Sequence, residues 1–202
     1  MIAGLILAGG QSRRFGSDKS GAELGGRALC DWVAGRAMPL VDKLFLNAPK
    51  NKHKAICASL PLIPDDAEGY LGPLAGVLAG LRWLEAHEGG FNWLATFPVD
   101  SPFFPTDLVS RLSAAAKPGG APAVAESGGR LHPVFTLWPS AVVPELEAYM
   151  NARGGRKMMT FLDKVDAVPV SFDAHPFDPF FNINTADDLE KAAVIAERYF
   201  VS

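Results

Sequence analysis

Apolar and polar positions in the first half of the chain alternate between short buried strands and amphipathic helices. An apolar run from Ile2 to Ala8 ends at Gly9-Gly10, which is typical of a buried parallel strand entering a glycine loop. Strand and helix then alternate at the length of βαβ units, which predicts a mainly parallel, doubly wound sheet. The other predicted elements are a helix through Leu29, Trp32, Val33 and Arg36 after a turn at Gly25-Gly26, strands over 43–47, 61–64 and 92–99, and helices over 53–59, 76–85 and 107–116.

The second half of the chain has a different pattern. Two strand-like runs flank the segment ESGGR, which predicts a hairpin around Gly128-Gly129. Thr185 and Asp188 fit a capping box that opens a final helix to about Tyr199. No linker divides the chain, so we expect a single α/β domain, with about 1–118 and 119–202 as its two halves and a small antiparallel element in the second. The remaining predicted elements are strands over 121–125, 131–138 and 167–172 and helices near 144–152 and 156–165.

Composition narrows the class of protein. The 202 residues are 49% hydrophobic with a formal net charge of −3, which excludes disorder and argues against bulk binding to nucleic acid or membrane. No apolar stretch approaches the roughly 18 residues that span a bilayer. The only cysteines, Cys30 and Cys57, lie in apolar or helical contexts, and the N-terminus lacks the basic segment of a signal peptide. We therefore expect a cytoplasmic protein whose two thiols serve packing.

The loop after the first strand concentrates positive charge. Its sequence, LAGGQSRRFGSDK, places Arg13, Arg14 and Lys19 within seven residues of an otherwise slightly acidic chain. Ligands of parallel sheets bind beyond the carboxyl ends of the strands, and glycines there let backbone N–H groups approach a phosphate. The loop matches neither the Walker A motif nor the dinucleotide fingerprint. It is either a phosphate-binding loop or a flexible surface loop that happens to carry charge.

Several other side chains have two interpretations from the residues alone. Asp100 closes an apolar strand before Ser-Pro, where it favours a turn or supplies a hard oxygen ligand to Mg²⁺. Asn47 either ends its strand as a turn residue or contacts a ligand. His132, on a hairpin strand, is either a satisfied structural histidine or a ligand contact. No Ser/His/Asp or Cys/His set is evident.

The pattern L-A-G-G-x-S-x-R-x-G-x-D-K resembles the signature loop of the nucleotidyltransferases that include the molybdenum cofactor guanylyltransferases. Further segments match in the expected order: GPLAG at 72–76, seven residues after Asp65, then Asp100, His132-Pro133 and NINT at 182–185. Phe15 departs from the pattern, because methionine is usual there. The resemblance runs from residue 5 to about 190, and it implies a Rossmann-like sheet of the nucleotide-diphospho-sugar transferase type.

The resemblance also implies which residues act. Lys19, Arg14 and Asp100 are the expected catalytic residues, and Asp100 is the expected Mg²⁺ ligand. The pterin side is less specific, and the basic cluster of Arg153, Arg156 and Lys157 is either a solvated helix start or a site for the pterin phosphate. The expected GTP contacts are Leu7, Ala8, Gly9, Gly10, Lys19, Asn47, Asp65 and Asp100. The expected pterin contacts are His132, Arg156, Asn182 and Asn184.

The implied function is transfer of GMP from GTP to molybdopterin that carries its metal, with release of pyrophosphate. The alternatives are a cytidylyltransferase or a sugar-1-phosphate nucleotidyltransferase on the same fold, and, in another class, a non-catalytic GTP-binding or cofactor-carrier protein. GTP, molybdopterin and Mg²⁺ are the expected ligands. A monomer is expected, with transient contacts to proteins that deliver molybdopterin and that mature molybdoenzymes.

Overall fold

A seven-stranded sheet organises the protein in a computed structural model that describes residues 1–8, 23–49, 57, 60–64, 72–116, 120–152 and 155–200. The strands are β1 (Ile2–Leu7), β2 (Glu23–Leu24), β3 (Arg27–Ala28), β4 (Lys43–Ala48), β5 (Leu62–Pro64), β6 (Trp93–Pro98), β7 (Ala123–Ser127), β8 (Arg130–Pro139) and β9 (Val168–Phe172). The helices are α1 (Leu29–Ala37), α2 (Pro73–His87), α3 (Leu108–Ala115), α4 (Val143–Asn151), α5 (Met158–Lys164) and α6 (Ala186–Tyr199), with 3₁₀ turns at Met38–Leu40 and Ser140–Val142.

The strand order is β5-β4-β1-β6-β8-β7-β9, and β2 pairs with β3 in a separate hairpin. The β1–β4, β1–β6, β4–β5 and β7–β9 pairs are parallel, and β8 runs antiparallel to both β6 and β7. The predicted mainly parallel sheet with a small antiparallel element in the second half is therefore confirmed. So is the hairpin, whose turn has φ of 54° at Gly128 and 76° at Gly129, a region that favours glycine.

Two helical layers cover the sheet because the strands alternate their side chains between its faces. Ile6 packs with α1 and α3 on one face. Leu5 and Leu7 pack with α2, α4 and α5 on the other. α6 lies against the β2–β3 hairpin in a third apolar cluster, which includes Leu24 and Ile183. Both faces of the sheet are therefore covered by helices.

The carboxyl ends of the strands meet at one edge of the sheet. Leu7, the last residue of β1, is level with Asn47 of β4 and Pro98 of β6. β7 runs in the same direction as β6, since each is antiparallel to β8, so Ser127 ends at this edge as well. Residues far apart in the sequence are therefore brought to one side of the molecule, which we call the carboxyl edge.

The predicted start of α2 differs from the structure. α2 begins at Pro73 rather than at residue 76, because proline is well suited to the first helical position and Gly72, with φ of 81°, precedes it. The segment GPLAG at 72–76 is interpreted from its Gly-Pro pair as a turn, but only Gly72 lies outside the helix. The Gly25-Gly26 turn is confirmed, and it joins the short strands β2 and β3. The predicted helix over 53–59 lies outside the described residues except for Cys57, which, like Cys30, is buried and free.

Candidate functional site at the carboxyl edge

The floor of the carboxyl edge is formed where β1 and β4 end. The Ala8 N–H donates to the carbonyl of Asn47 at 2.9 Å, which extends the β1–β4 ladder by one residue. The carbonyl of Leu7 accepts from the N–H of Val99 at 3.3 Å, just after β6. The backbone that leads into the glycine loop is therefore fixed between two neighbouring strands. This is the position at which parallel sheets bind ligands.

Asn47 occupies a buried position beneath the first turn of α2. It is 2% exposed, and its side-chain Nδ2 donates to the carbonyl of Ile63 at 3.2 Å. A Cβ built on Gly76 would lie 2.4 Å from Asn47 Oδ1 and 2.7 Å from Leu7 Cδ2. A glycine at position 76 thus lets the helix approach both residues closely. The amide of Asn47 ties β5 to β4 beneath the start of α2.

Substitution of Gly76 by alanine is expected to destabilise the protein and distort this floor. The added methyl group cannot fit without moving Asn47 or Leu7, and overpacking of this kind costs about 1–3 kcal/mol, more than alanine returns through helix propensity. The melting temperature should fall by about 2–4 °C for each kcal/mol lost. Gly89→Ala is the matched control, because no atom lies within 4 Å of a Cβ built there. Equal melting temperatures for both variants would contradict the close approach.

Asp100 lies in the turn that follows β6 and is half-buried. Its backbone carbonyl accepts a hydrogen bond of 2.8 Å from the N–H of Ile183. Ile183 is fully buried, and the exposed residues Asn182 and Asn184 flank it. The structure therefore brings the predicted metal ligand and the predicted pterin asparagines to the same place, although more than 80 residues separate them in sequence.

Arg156 lies on another side of the carboxyl edge, beside the start of α2. A Cβ built on Gly72 would be 3.7 Å from the Arg156 carbonyl oxygen, so the two backbones pass close to one another. The side chain of Arg156 is exposed just before α5. The structure therefore brings the backbone of Arg156 beside the start of α2.

His132 belongs to a hydrogen-bonded chain that the sequence does not reveal. Ser127 Oγ is 2.7 Å from His132 Nε2 and donates to Asp178 Oδ1 at 2.8 Å. These three residues therefore form a hydrogen-bonded set that is not evident in the sequence. The serine stands between the other two, whereas in a hydrolytic triad the histidine does. The pattern ESGGR placed Ser127 beside the hairpin turn, but nothing in it pointed to Asp178.

The protonation of His132 follows from its surroundings. Burial lowers the pKa of the imidazole, and the positive charge of Arg130 lowers it further, while the negative charge of Asp178 raises it. The net direction is downward from the ordinary value, so the ring is neutral at pH 7. A neutral imidazole has one donor and one acceptor nitrogen.

The other expected site residues lie outside the described part of the chain. They are Gly9, Gly10, Arg13, Arg14, Lys19, Asp65 and Arg153. Within the described ranges, no group of three His, Cys, Asp or Glu side chains is arranged to hold a metal ion. Nor does any helix in those ranges have both the length and the apolar character that a membrane crossing requires.

Comparison with known families gives one match over most of the chain. Residues 4–167 match the model of the MobA-like NTP transferase domain. The matched range begins within β1, contains β2 to β8 and Asp100, and ends immediately before β9.

Relatives and solved structures extend the match to nearly the whole length. Proteins named molybdenum cofactor guanylyltransferase are similar to the chain: that of Cereibacter sphaeroides is 45% identical over 95% of both chains, and that of Rhizobium leguminosarum bv. trifolii is 44% identical over 95% of this chain and 91% of its own. The crystal structure of molybdopterin-guanine dinucleotide biosynthesis protein A from Archaeoglobus fulgidus has a TM-score of 0.74 at 25% identity. It covers 97% of this chain and 99% of its own.

Proposed function

The chain belongs to the family of MobA-like NTP transferases, and from this premise we propose that it transfers GMP from GTP to molybdopterin that carries its metal. The products are pyrophosphate and the molybdopterin guanine dinucleotide. The observation that carries this proposal is the 40–45% identity to proteins named molybdenum cofactor guanylyltransferase over about 95% of the chain. The arrangement of the carboxyl edge supports it.

The reaction joins two phosphates. The terminal phosphate oxygen of molybdopterin attacks the α-phosphorus of GTP, a new P–O bond forms, and the bond from the α-phosphorus to the bridging oxygen breaks to release pyrophosphate. A phosphate monoester is already nucleophilic at neutral pH, so the protein's work is positioning and charge stabilisation. Ser127 is not needed as a nucleophile, and its hydroxyl proton is already donated to Asp178.

We assign the nucleotide side of the site to the first half of the chain, about 1–118. Leu7, Ala8, Gly9 and Gly10 approach the guanine end, with support from the fixed backbone at Leu7 and Ala8. Asn47 and Asp65 complete this side. Lys19 and Arg14 neutralise the charge that develops on the leaving pyrophosphate. Because Asn47 is buried, we assign it to the floor beneath the nucleotide rather than to the solvent-exposed surface of the site.

Asp100 is the proposed ligand for Mg²⁺. Its carboxylate is the hard oxygen donor that this ion prefers, and Mg²⁺ sites often use only one or two carboxylates while water and substrate phosphates complete the shell. A single acidic side chain at the carboxyl edge therefore fits the ion. When bound, Mg²⁺ would supply positive charge to the phosphate oxygens. Asp100 also anchors Ile183 through its backbone carbonyl, which keeps the two halves of the site together.

We assign the pterin side to the second half, about 119–202. His132, Arg156, Asn182 and Asn184 are the proposed contacts. The exposed asparagines beside Asp100 support this assignment, because amides hydrogen-bond a polar heterocycle on both its donor and acceptor groups. Arg156 suits the anionic phosphate of the pterin.

Competition between GTP and CTP tests the proposed specificity for guanine. Wild-type protein is supplied with molybdopterin, Mg²⁺ and equal GTP and CTP, and pyrophosphate release and the two dinucleotide products are followed. We expect the guanine product to dominate, as the names of the relatives indicate. Dominance of the cytosine product would replace the proposal with a cytidylyltransferase. In a parallel reaction that also contains a sugar 1-phosphate, transfer to the sugar phosphate and not to molybdopterin would replace it with a sugar nucleotidyltransferase.

We further propose that the protein works in the cytoplasm as a monomer that makes transient contacts with molybdopterin-delivering and molybdoenzyme-maturation proteins. The two free, buried cysteines support a reducing compartment. Analytical sedimentation of the purified protein, with and without substrates, tests the proposed monomeric state.

A further inference from the structure

The segment that carries Asn182 and Asn184 is anchored at both ends. At its far end, the N–H of Ile183 donates to the carbonyl of Asp100. At its near end, Asp178 Oδ1 accepts from the N–H of Phe180 at 3.0 Å, and the Asp178 carbonyl accepts from the N–H of Phe181 at 3.1 Å. Asp178 therefore folds residues 178–181 into a turn that directs the chain toward Asp100.

The near anchor is itself tied to the β7–β8 hairpin. Ser127, which is 4% exposed at the end of β7, donates to Asp178 Oδ1 at 2.8 Å. The ring of Phe180 packs in the same place, with its centroid 4.6 Å from that of His132 and 5.4 Å from that of Phe172. The hairpin and the 178–184 segment thus share a part-buried hydrogen bond and the contact between the rings of His132 and Phe180.

The hydrogen bonds of Ser127 determine which ring nitrogen of His132 carries the proton. A carboxylate only accepts hydrogen bonds, and a serine hydroxyl has a single proton, so the Ser127 proton is used toward Asp178. The contact of 2.7 Å between Ser127 Oγ and His132 Nε2 must then be a donation from the imidazole. His132 therefore carries its proton on Nε2, and in the neutral ring Nδ1 is the acceptor.

We propose that Ser127 and Asp178 are positioning residues for the pterin substrate. Their hydrogen bond holds the 178–184 segment so that Asn182 and Asn184 lie beside Asp100, and it fixes His132 in the Nε2–H form, which offers an Nδ1 acceptor to an N–H donor of the pterin. A reduced pterin carries several such donors on its ring and amino group. This inference rests on the proposed function, since it assigns residues to the second substrate.

Binding measurements on three variants test the proposal without relying on turnover. Ser127→Ala and Asp178→Ala remove one member of the pair, and Asp178→Asn retains an acceptor oxygen without the charge. We expect the alanine variants to bind molybdopterin about tenfold or more weakly, the range for a hydrogen bond to a charged group, with GTP affinity within about twofold of wild type. The asparagine variant should recover most of the pterin affinity.

Ser171→Ala is the matched control. It removes another serine–carboxylate hydrogen bond, of 3.4 Å to Glu126 Oε2, between the neighbouring strands β9 and β7 but at an exposed position. We expect wild-type affinity for both ligands. If Ser127→Ala and Asp178→Ala bind molybdopterin as tightly as the control does, or lose GTP and molybdopterin equally, the positioning role is wrong.

Nitrogen NMR of the histidines gives a readout that a merely structural role would not move. Long-range ¹H–¹⁵N spectra, with His132 assigned by a His132→Gln variant, should show the Nε2–H form in wild type and a mixture of tautomers in Ser127→Ala. In Asp178→Asn, loss of the negative charge that raises the His132 pKa should lower that pKa further, while Arg130 continues to lower it. An Nδ1–H form in wild type would contradict the assignment of the His132 proton to Nε2.

The two arms separate failure of this inference from failure of the proposed function. If the alanine variants lose molybdopterin affinity but the wild-type protein produces no guanine dinucleotide, the positioning role is supported and the proposed guanylyltransferase activity is contradicted. If the wild-type protein produces the dinucleotide and the alanine variants keep their molybdopterin affinity, the proposed activity is supported and the positioning role is contradicted. Asp178→Asn keeps the acceptor for Ser127 and the Phe180 N–H, so it remains informative if an alanine variant unfolds.

Discussion

Asp100→Ala is expected to lower the turnover of guanylyl transfer by about 100- to 1,000-fold, the range seen when one preorganised charge-stabilising group is removed. The substitution removes the proposed Mg²⁺ ligand at the end of β6. It leaves the Asp100 backbone carbonyl, which accepts from Ile183, in place. The fold and the position of the 182–184 segment should therefore survive. The rate of dinucleotide formation at saturating GTP and molybdopterin measures the effect.

Two further variants define what Asp100 contributes. Asp100→Asn keeps the size of the side chain but not its charge, and it should be nearly as impaired as the alanine variant. Asp107→Ala removes an exposed carboxylate seven residues later, which lies 3.7 Å from the guanidinium of Arg111, and should leave turnover unchanged. Wild-type turnover in Asp100→Ala, with an unchanged melting temperature, would refute the metal-ligand role.

Lys19→Ala is expected to reduce kcat/KM for GTP by about 100-fold. We place this ammonium on the triphosphate, where it stabilises negative charge that grows as pyrophosphate leaves. A group that acts mainly on the developing charge lowers kcat, and one that also holds the ground state raises KM, so both parameters should change in those directions. Initial rates over a range of GTP concentrations separate the two.

Lys43→Ala provides the matched loss of one positive charge. Lys43 is the first residue of β4, so it lies at the opposite edge of the sheet, where it pairs with Glu88. Its removal should leave kcat and KM for GTP within about twofold of wild type, because an exposed ion pair contributes little. If Lys19→Ala behaves as Lys43→Ala does, the cation of the first loop has no part in the reaction.

Local patterns predicted most of the fold because the strands here are short, apolar and bounded by glycine or proline. Ile2 to Leu7 is a strand because it is a continuous apolar run that is buried on both faces of the sheet. The start of α2 was predicted three residues late, since Gly-Pro was interpreted as a turn although proline suits the first helical turn. The two-residue strands β2 and β3 are too short to give a periodic signal.

Local sequence patterns suggested some residues of the candidate site and not others. Asp100 and Asn47 could be named as candidates because each lies at the predicted end of an apolar strand, and parallel strands align their carboxyl ends. The family resemblance, not the pattern, favoured ligand contacts over turn residues. The pairing of Ser127 with Asp178 could not, because 51 residues separate them and neither lies in a recognisable motif. Their contact depends on the tertiary path that returns the chain from β9 to the hairpin. Long-range contacts between ordinary polar residues leave no local signature.

The direct test of the account is product formation by the purified protein supplied with GTP, molybdopterin that carries its metal, and Mg²⁺. We expect molybdopterin guanine dinucleotide to appear with an equal amount of pyrophosphate, and no product when either substrate is omitted. GTP that is bound but not converted would contradict guanylyl transfer and identify the protein as a binding or carrier protein.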